Sequence, residues 1–282
     1  MGRPSSHGFT VLGTFRTCPY KCFRSWLADG QGYEPFEIQE KFTFGGSMHK
    51  IRAAVNLGKS KDEAMAIGVK EARKRWLLKP DGKLPDHVEP SLYRMLLATL
   101  ELDEAEGRYE PYVDDTGPWV ERRVAVTISG IEYSVTVDML TVVDGIFSIV
   151  DYKYTGLPLG QLFPQYFLDF QTTGYCWVGQ HILNKPVKSV IMECGFKGRG
   201  KVPLPEIKRE TFLRDAEEIG KFMHETLYWQ NRLRDCQASG FWPRNTDACV
   251  GPWGTCEHHP HCVSRGQVDA QLYRLREERE DE

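Results

Sequence analysis

The stretch that decides the fold runs from Trp119 to Tyr154, WVERRVAVTISGIEYSVTVDMLTVVDGIFSIVDYKY. It reads as three strands divided by two hairpin signals, a strong one at Asp144-Gly145 and a weaker one at Ser129-Gly130. With two-residue loops the pairing follows by counting. Val143 faces Ile146, which brings Asp138 opposite Asp151; Ile128 faces Ile131, which brings Glu121 opposite Asp138. Lys153 lies two residues beyond Asp151 and shares its face. The middle strand agrees with this register. Ile131, Tyr133, Val135, Val137 and Met139 alternate with Glu132, Ser134, Thr136 and Asp138, so Asp138 belongs to the polar face.

Directly opposed strand residues have Cβ atoms only ~4.5–5.5 Å apart, and like charges there are destabilising. Three carboxylates in one row are therefore costly unless a cation joins them. Hard oxygen ligands of this kind suit Mg²⁺ or Mn²⁺. The lysine adds a positive group for an attacking water or for developing phosphoryl charge. An Asp and a Lys two apart on a strand are commonplace by themselves. The row of three acids, with Asp151-Tyr152-Lys153 after the apolar run Ile146 to Val150, is what points to a metal-dependent nuclease site.

The chain has 282 residues, enough for one large domain or a core with appended helical parts. No run of eighteen apolar residues occurs, and the start, Met1-Gly2-Arg3-Pro4-Ser5-Ser6, lacks the apolar stretch of a secretory signal. The expected setting is intracellular, without a membrane. The net charge of −3 does not advertise nucleic-acid binding, but the carboxylates and the acidic run to Glu282 depress it. Lys197, Arg199 and Lys201, followed by Lys208 and Arg209, form a candidate phosphate-contacting edge. Eight cysteines without a signal peptide suggest reduced thiols or a metal site rather than disulfides.

Around the three strands the periodicity predicts helices. They are a short one over Phe9–Leu27 carrying Cys18-Pro19, one capped by Ser47 with His49 in its first turn, then Asp62–Leu78 and Leu92–Glu106, the last capped by Ser91. After the strands come a helix with Gln171 and Tyr175 one turn apart, a strand over Val187–Phe196, and a long helix over Thr211–Cys236. This order implies an α/β fold with a mixed sheet flanked by helices.

These residues resemble the RecB-like branch of the PD-(D/E)xK nuclease superfamily. The matching elements run in family order: Cys18-Pro19, Gly45 to His49, Glu121, Asp138, Asp151-Tyr152-Lys153, and Gln171 to Tyr175. The resemblance implies a restriction-endonuclease-like core in a single domain over 1–282. Its parts would be a helical N-terminal region of about 9–110, a catalytic core of about 119–236 and a Cys-rich segment at 241–265. It implies that His49, Asp138, Asp151 and the Tyr152 carbonyl hold Mg²⁺ or Mn²⁺, and that Lys153 positions water. Glu121 is a further acid of the site, and Gln171 and Tyr175 would hold the substrate strand.

The implied activity is that of a DNA exonuclease in recombination, repair or phage DNA processing, with single strands or DNA ends as substrate and a helicase or recombination protein as partner. Exonuclease rather than endonuclease rests on the family likeness alone. The alternatives are a structure- or sequence-specific endonuclease and a non-catalytic DNA-binding module. Some members close the fold with a 4Fe–4S cluster, which here would take Cys18, Cys249, Cys256 and Cys262 and join the two ends of the chain. Five residues separate Cys256 from Cys262, as that pattern has it, but six separate Cys249 from Cys256 where two are usual. Zinc is the rival, with His258, His259 and His261 offering nitrogen ligands.

Overall fold

Asp144 and Gly145 both take left-handed backbone, with φ of 51° and 78°, the pair of positive values that a type I′ hairpin turn requires. The computed structural model describes residues 9–36, 40–76, 83–128, 131–156, 158–167, 169–198, 204–251 and 254–276. The weaker turn signal, Ser129-Gly130, falls outside them.

Three strands flank these turns: β1 (Val120–Ile128), β2 (Ile131–Val143) and β3 (Ile146–Thr155). β2 and β3 pair antiparallel from Val143↔Ile146 to Met139↔Val150, the register counted from the sequence. Upstream of β1, the Leu140 amide donates to the Trp119 carbonyl at 3.1 Å, the partner that the same counting assigns. β4 (Val187–Phe196) runs parallel to β3, and β5 (Glu206–Leu213) antiparallel to β4. The result is a five-stranded mixed sheet in the order β1-β2-β3-β4-β5.

The helices are α1 (Phe9–Thr17), α2 (Glu40–Asn56), α3 (Lys61–Trp76), α4 (Val88–Glu106), α5 (Phe170–Leu183) and α6 (Ala216–Ser239). Several differ from expectation, each for a local reason. α1 stops before Cys18, whose backbone is extended (φ −160°, ψ 112°) because the following Pro19 disfavours helical backbone there. Ser47 and Ser91 are not caps. Both lie inside their helices and donate back to the carbonyls of Thr43 (2.9 Å) and His87 (2.6 Å). His49 is therefore in the middle of α2. The single helix expected over Thr211–Cys236 is instead the end of β5 followed by α6. Asp215 and Glu218 close that junction reciprocally, each carboxylate accepting the other's backbone N–H, at 2.8 and 3.2 Å.

The chain divides into two compact units. The larger, Ile38–Val124 with Thr136–Ile219, holds most of the sheet. Its core joins Met48, Ile51 and Val55 of α2, Val69 and Trp76 of α3, and Leu92, Met95 and Leu96 of α4 to Met139, Val150, Tyr152 and Ile191. Gly68 lets α3 approach α2 closely: a Cβ there would fall 2.3 Å from Ile51 Cγ1. The smaller unit, Met1–Glu37 with Ala125–Val135 and Gly220–Glu282, contains both cysteine-bearing ends. Among the described residues no helix is long and apolar enough to cross a membrane.

Candidate active site

The β2–β3 ladder reaches Met139↔Val150, and one step further Asp138 substitutes a side chain for backbone. Its Oδ2 accepts the Tyr152 N–H at 2.9 Å. There His49 comes in from α2, with Nδ1 3.3 Å from Asp138 Oδ2 and 3.8 Å from Glu121 Oε1. Ligand atoms of His49, Glu121 and Asp138 all lie within 4.8 Å of one another. Glu121 reaches in from a strained backbone, φ 50°, left-handed geometry that a non-glycine residue in a strand rarely adopts. Asp151 completes the row. Its side chain is 0% exposed, with Lys153 Nζ 2.6 Å from Oδ2. Among the described residues no other donor reaches either Asp151 oxygen.

The electrostatics follow from burial and crowding. Burial pushes the Asp151 carboxyl up to about 6, against the pull of Lys153 and with the push of Asp138. Burial and then Asp138 also raise Glu121, with His49 and Lys50 opposing. Asp138 moves the other way: burial would raise it, but His49, Lys153 and the Tyr152 N–H together outweigh that and hold it below the ordinary carboxylate range. Burial would lower His49 and Lys153, yet the acids beside them leave both above their ordinary values.

The donor set fits a divalent cation: one imidazole and two carboxylates within 4.8 Å of one another, beside the fully buried carboxylate of Asp151, which has only Lys153 as a partner. The "polar face" of the sequence reading is in fact an interior one. Gln171 and Tyr175 meet as their spacing predicts, Gln171 Nε2 donating to Tyr175 Oη at 2.5 Å on α5, and Asp169 caps that helix by accepting the Thr172 N–H. Sequence reasoning missed Lys50, which follows His49 and reaches Glu121 at 3.3 Å. It also missed Tyr166, an electrostatic neighbour of Lys153 and Asp151. Adjacency to His49 was the available signal for Lys50; Tyr166 had none.

One residue of the proposed phosphate-contacting edge, Arg209, needs correction. Arg199 and Lys201 lie outside the described residues. Lys197 is half-buried, its Nζ 5.8 Å from the Phe44 ring, and Lys208 pairs with Glu206 at 2.8 Å. Arg209 is no surface cation. It is buried between Glu193 (2.8 Å) and Asp103, because the alternation of β5 turns it inward.

In the smaller unit Cys18, Cys249, Cys256 and Cys262 line one cavity of about 370 Å³, together with Lys21 and Arg244. The wide Cys249–Cys256 spacing has a structural cause. A short hairpin pairs Val250 with Thr255, and the Cys256 amide donates to the Cys249 carbonyl at 2.8 Å, so the backbones of the two cysteines meet despite the spacing. Of the three histidines, His258 and His259 also line the cavity. His258 Nε2 lies 2.9 Å from Ser25 Oγ, while His261 bonds Tyr20 (2.8 Å) and Asp269 (2.7 Å). Cys22, Cys176 and Cys194 are buried.

Comparisons with known proteins agree with the geometry. A crystal structure of a candidate exonuclease from Eubacterium rectale is similar at 12% identity, with 85% of this chain and 84% of that one covered and a TM-score of 0.52, a likeness of fold. LHK-Exo in complex with dAMP matches at 15% identity over 72% of this chain and 98% of that one, with a TM-score of 0.27. No curated protein matches. The PD-(D/E)XK nuclease superfamily profile matches residues 8–262. The chain belongs to the PD-(D/E)XK nuclease superfamily.

Proposed function

We propose that this protein is a deoxyribonuclease dependent on Mg²⁺ or Mn²⁺, acting as an exonuclease on single strands or DNA ends. The observation that carries the reading is the convergence of His49, Glu121 and Asp138 beside the buried, donor-poor Asp151. His49, Asp138 and Asp151, with the Tyr152 carbonyl, would hold the ion, and Glu121 lies close enough to join them. The ion supplies Lewis-acid polarisation of phosphoryl oxygen and a water of lowered pKa. Lys153, held as an ammonium by Asp151 and Asp138, keeps its proton and offers positive charge to the developing phosphoryl oxygens. Asp138 fixes the β3 backbone through Tyr152, and Gln171 and Tyr175 present a preformed polar pair for a nucleic-acid strand.

The second cofactor of this reading is a 4Fe–4S cluster held by Cys18, Cys249, Cys256 and Cys262, which line one cavity, with zinc as its rival. Elemental analysis decides: about four irons per chain supports the cluster, one zinc supports its rival, and neither metal refutes both.

The activity test incubates labelled linear and circular DNA, single- and double-stranded, with Mg²⁺, Mn²⁺ or EDTA. Degradation of linear molecules with circles left intact is the expected result. Cleaved circles would make the protein an endonuclease. Binding without metal-dependent cleavage would make it a non-catalytic module.

A further inference from the structure

Lys50 and Glu121 form an asymmetric pair. The Lys50 side chain is 37% exposed and Glu121 only 15%, and Lys50 Nζ lies 3.3 Å from Glu121 Oε2. The other carboxylate oxygen, Oε1, lies 3.8 Å from His49 Nδ1, which also meets Asp138. One oxygen of Glu121 thus faces the candidate metal ligands while the other is held by an ammonium. The ammonium sits on a flexible stem that reaches solvent; the carboxylate springs from a strained, left-handed backbone. If the two separate, the lysine is the partner able to leave.

We propose that Lys50 is a positioning residue that occupies Glu121 in the metal-free protein and that a divalent cation must displace it to bind. This rests on the reading of His49, Glu121 and Asp138 as a metal site. The lysine screens crowded acids while no ion is present, and whatever stabilises that state opposes ion binding by the same factor. Removing the lysine should therefore tighten metal binding. A lysine that merely supports the local structure would, when removed, weaken it.

The test is calorimetric titration with Mn²⁺ alone, without nucleic acid, so that turnover plays no part. Lys50→Met should bind Mn²⁺ about five-fold more tightly than wild type, the size expected for one partly exposed ion pair. Lys50→Arg should stay near wild type. In a Glu121→Gln background the Lys50→Met change should have no effect, which separates displacement from general repulsion between the lysine and the ion. Unchanged or weaker binding by both Lys50→Met and Lys50→Gln, or the same tightening in the Glu121→Gln background, overturns the proposal. If the wild type bound no Mn²⁺ at all, the metal-site reading would fall and this proposal with it; an unchanged affinity sinks the proposal alone.

Discussion

Two clusters of buried charge occupy the larger unit, and they are built on opposite rules. In one, Arg52 and Arg209 meet Asp103 and Glu193. Arg52 bonds Asp103 twice, at 2.5 and 2.8 Å, and Glu193 at 3.0 Å, while Arg209 bonds Glu193 at 2.8 Å and also Asp103. Two cations match two anions, and guanidinium forks suit carboxylates. In the other, Glu121, Asp138 and Asp151 share Lys153, the half-exposed Lys50 and an imidazole, and the deepest acid has Lys153 alone as a partner. Burial of charge therefore does not mark a functional site. What sets the second cluster apart is carboxylates crowded onto one imidazole within ligand distance of one another, an arrangement that a further cation would relieve.

The comparison breaks most visibly on mutation. Asp151→Ala and Lys153→Ala should each cut metal-dependent cleavage by about a thousand-fold or more, with circular dichroism showing a folded protein. Retention of near wild-type rates in either would remove these residues from the chemistry. Arg52→Met should do the reverse, since it leaves buried carboxylates short of a partner. We expect a loss of about 3–5 kcal/mol in urea unfolding, as for other broken buried pairs. A variant as stable as wild type would show that the matched cluster is no structural anchor.

Acid–base behaviour separates Asp151 from Asp103 by sign. Burial raises Asp151 from 3.8 to about 6, so the folded state prefers it protonated. Its contribution to the stability of the metal-free protein is whole below pH 3.8 and is lost as pH rises through 6. Asp103 is opposite: burial would raise it, but Arg52 and Arg209 outweigh that and lower it. Its contribution is present above the ordinary carboxylate range and lost as acid protonates it. In urea titrations with EDTA, Asp151→Asn should flatten the decline towards pH 6, and Asp103→Asn the acid limb. Curves that both variants leave unchanged would contradict the assignment. The smallest effect belongs to Tyr154→Phe, which removes a 3.4 Å contact to a Glu193 already held by two arginines. A cost of about 1 kcal/mol or less is expected, and a much larger loss in thermal unfolding would show the cluster to be incompletely matched.

The strand register was legible because a two-residue turn and a period of two leave no freedom, and Asp138, Asp151 and Lys153 fell into place with it. Helix starts were not. A serine that bonds back to a carbonyl one turn earlier looks in sequence like one that caps, as Ser47 and Ser91 show. β5 was hidden by its own composition, since charges at Glu206, Lys208 and Arg209 read as a solvated edge, whereas Arg209 turns inward to acids distant in sequence. Lys50 had only its adjacency to His49 as a signal, since its partner, Glu121, lies on another element.

The left-handed backbone of Glu121 also restricts what can replace it. Glutamine keeps the steric cost that glutamate already bears and removes only the charge, whereas alanine also removes the side chain's reach. Asparagine and aspartate are among the side chains that tolerate this region best. Aspartate keeps the charge on a shorter arm, and asparagine removes it without aggravating the backbone. A ladder of Glu, Asp, Asn and Gly at this position would grade reach, charge and chain relaxation one at a time, which makes a single strained residue a calibrated dial for the site.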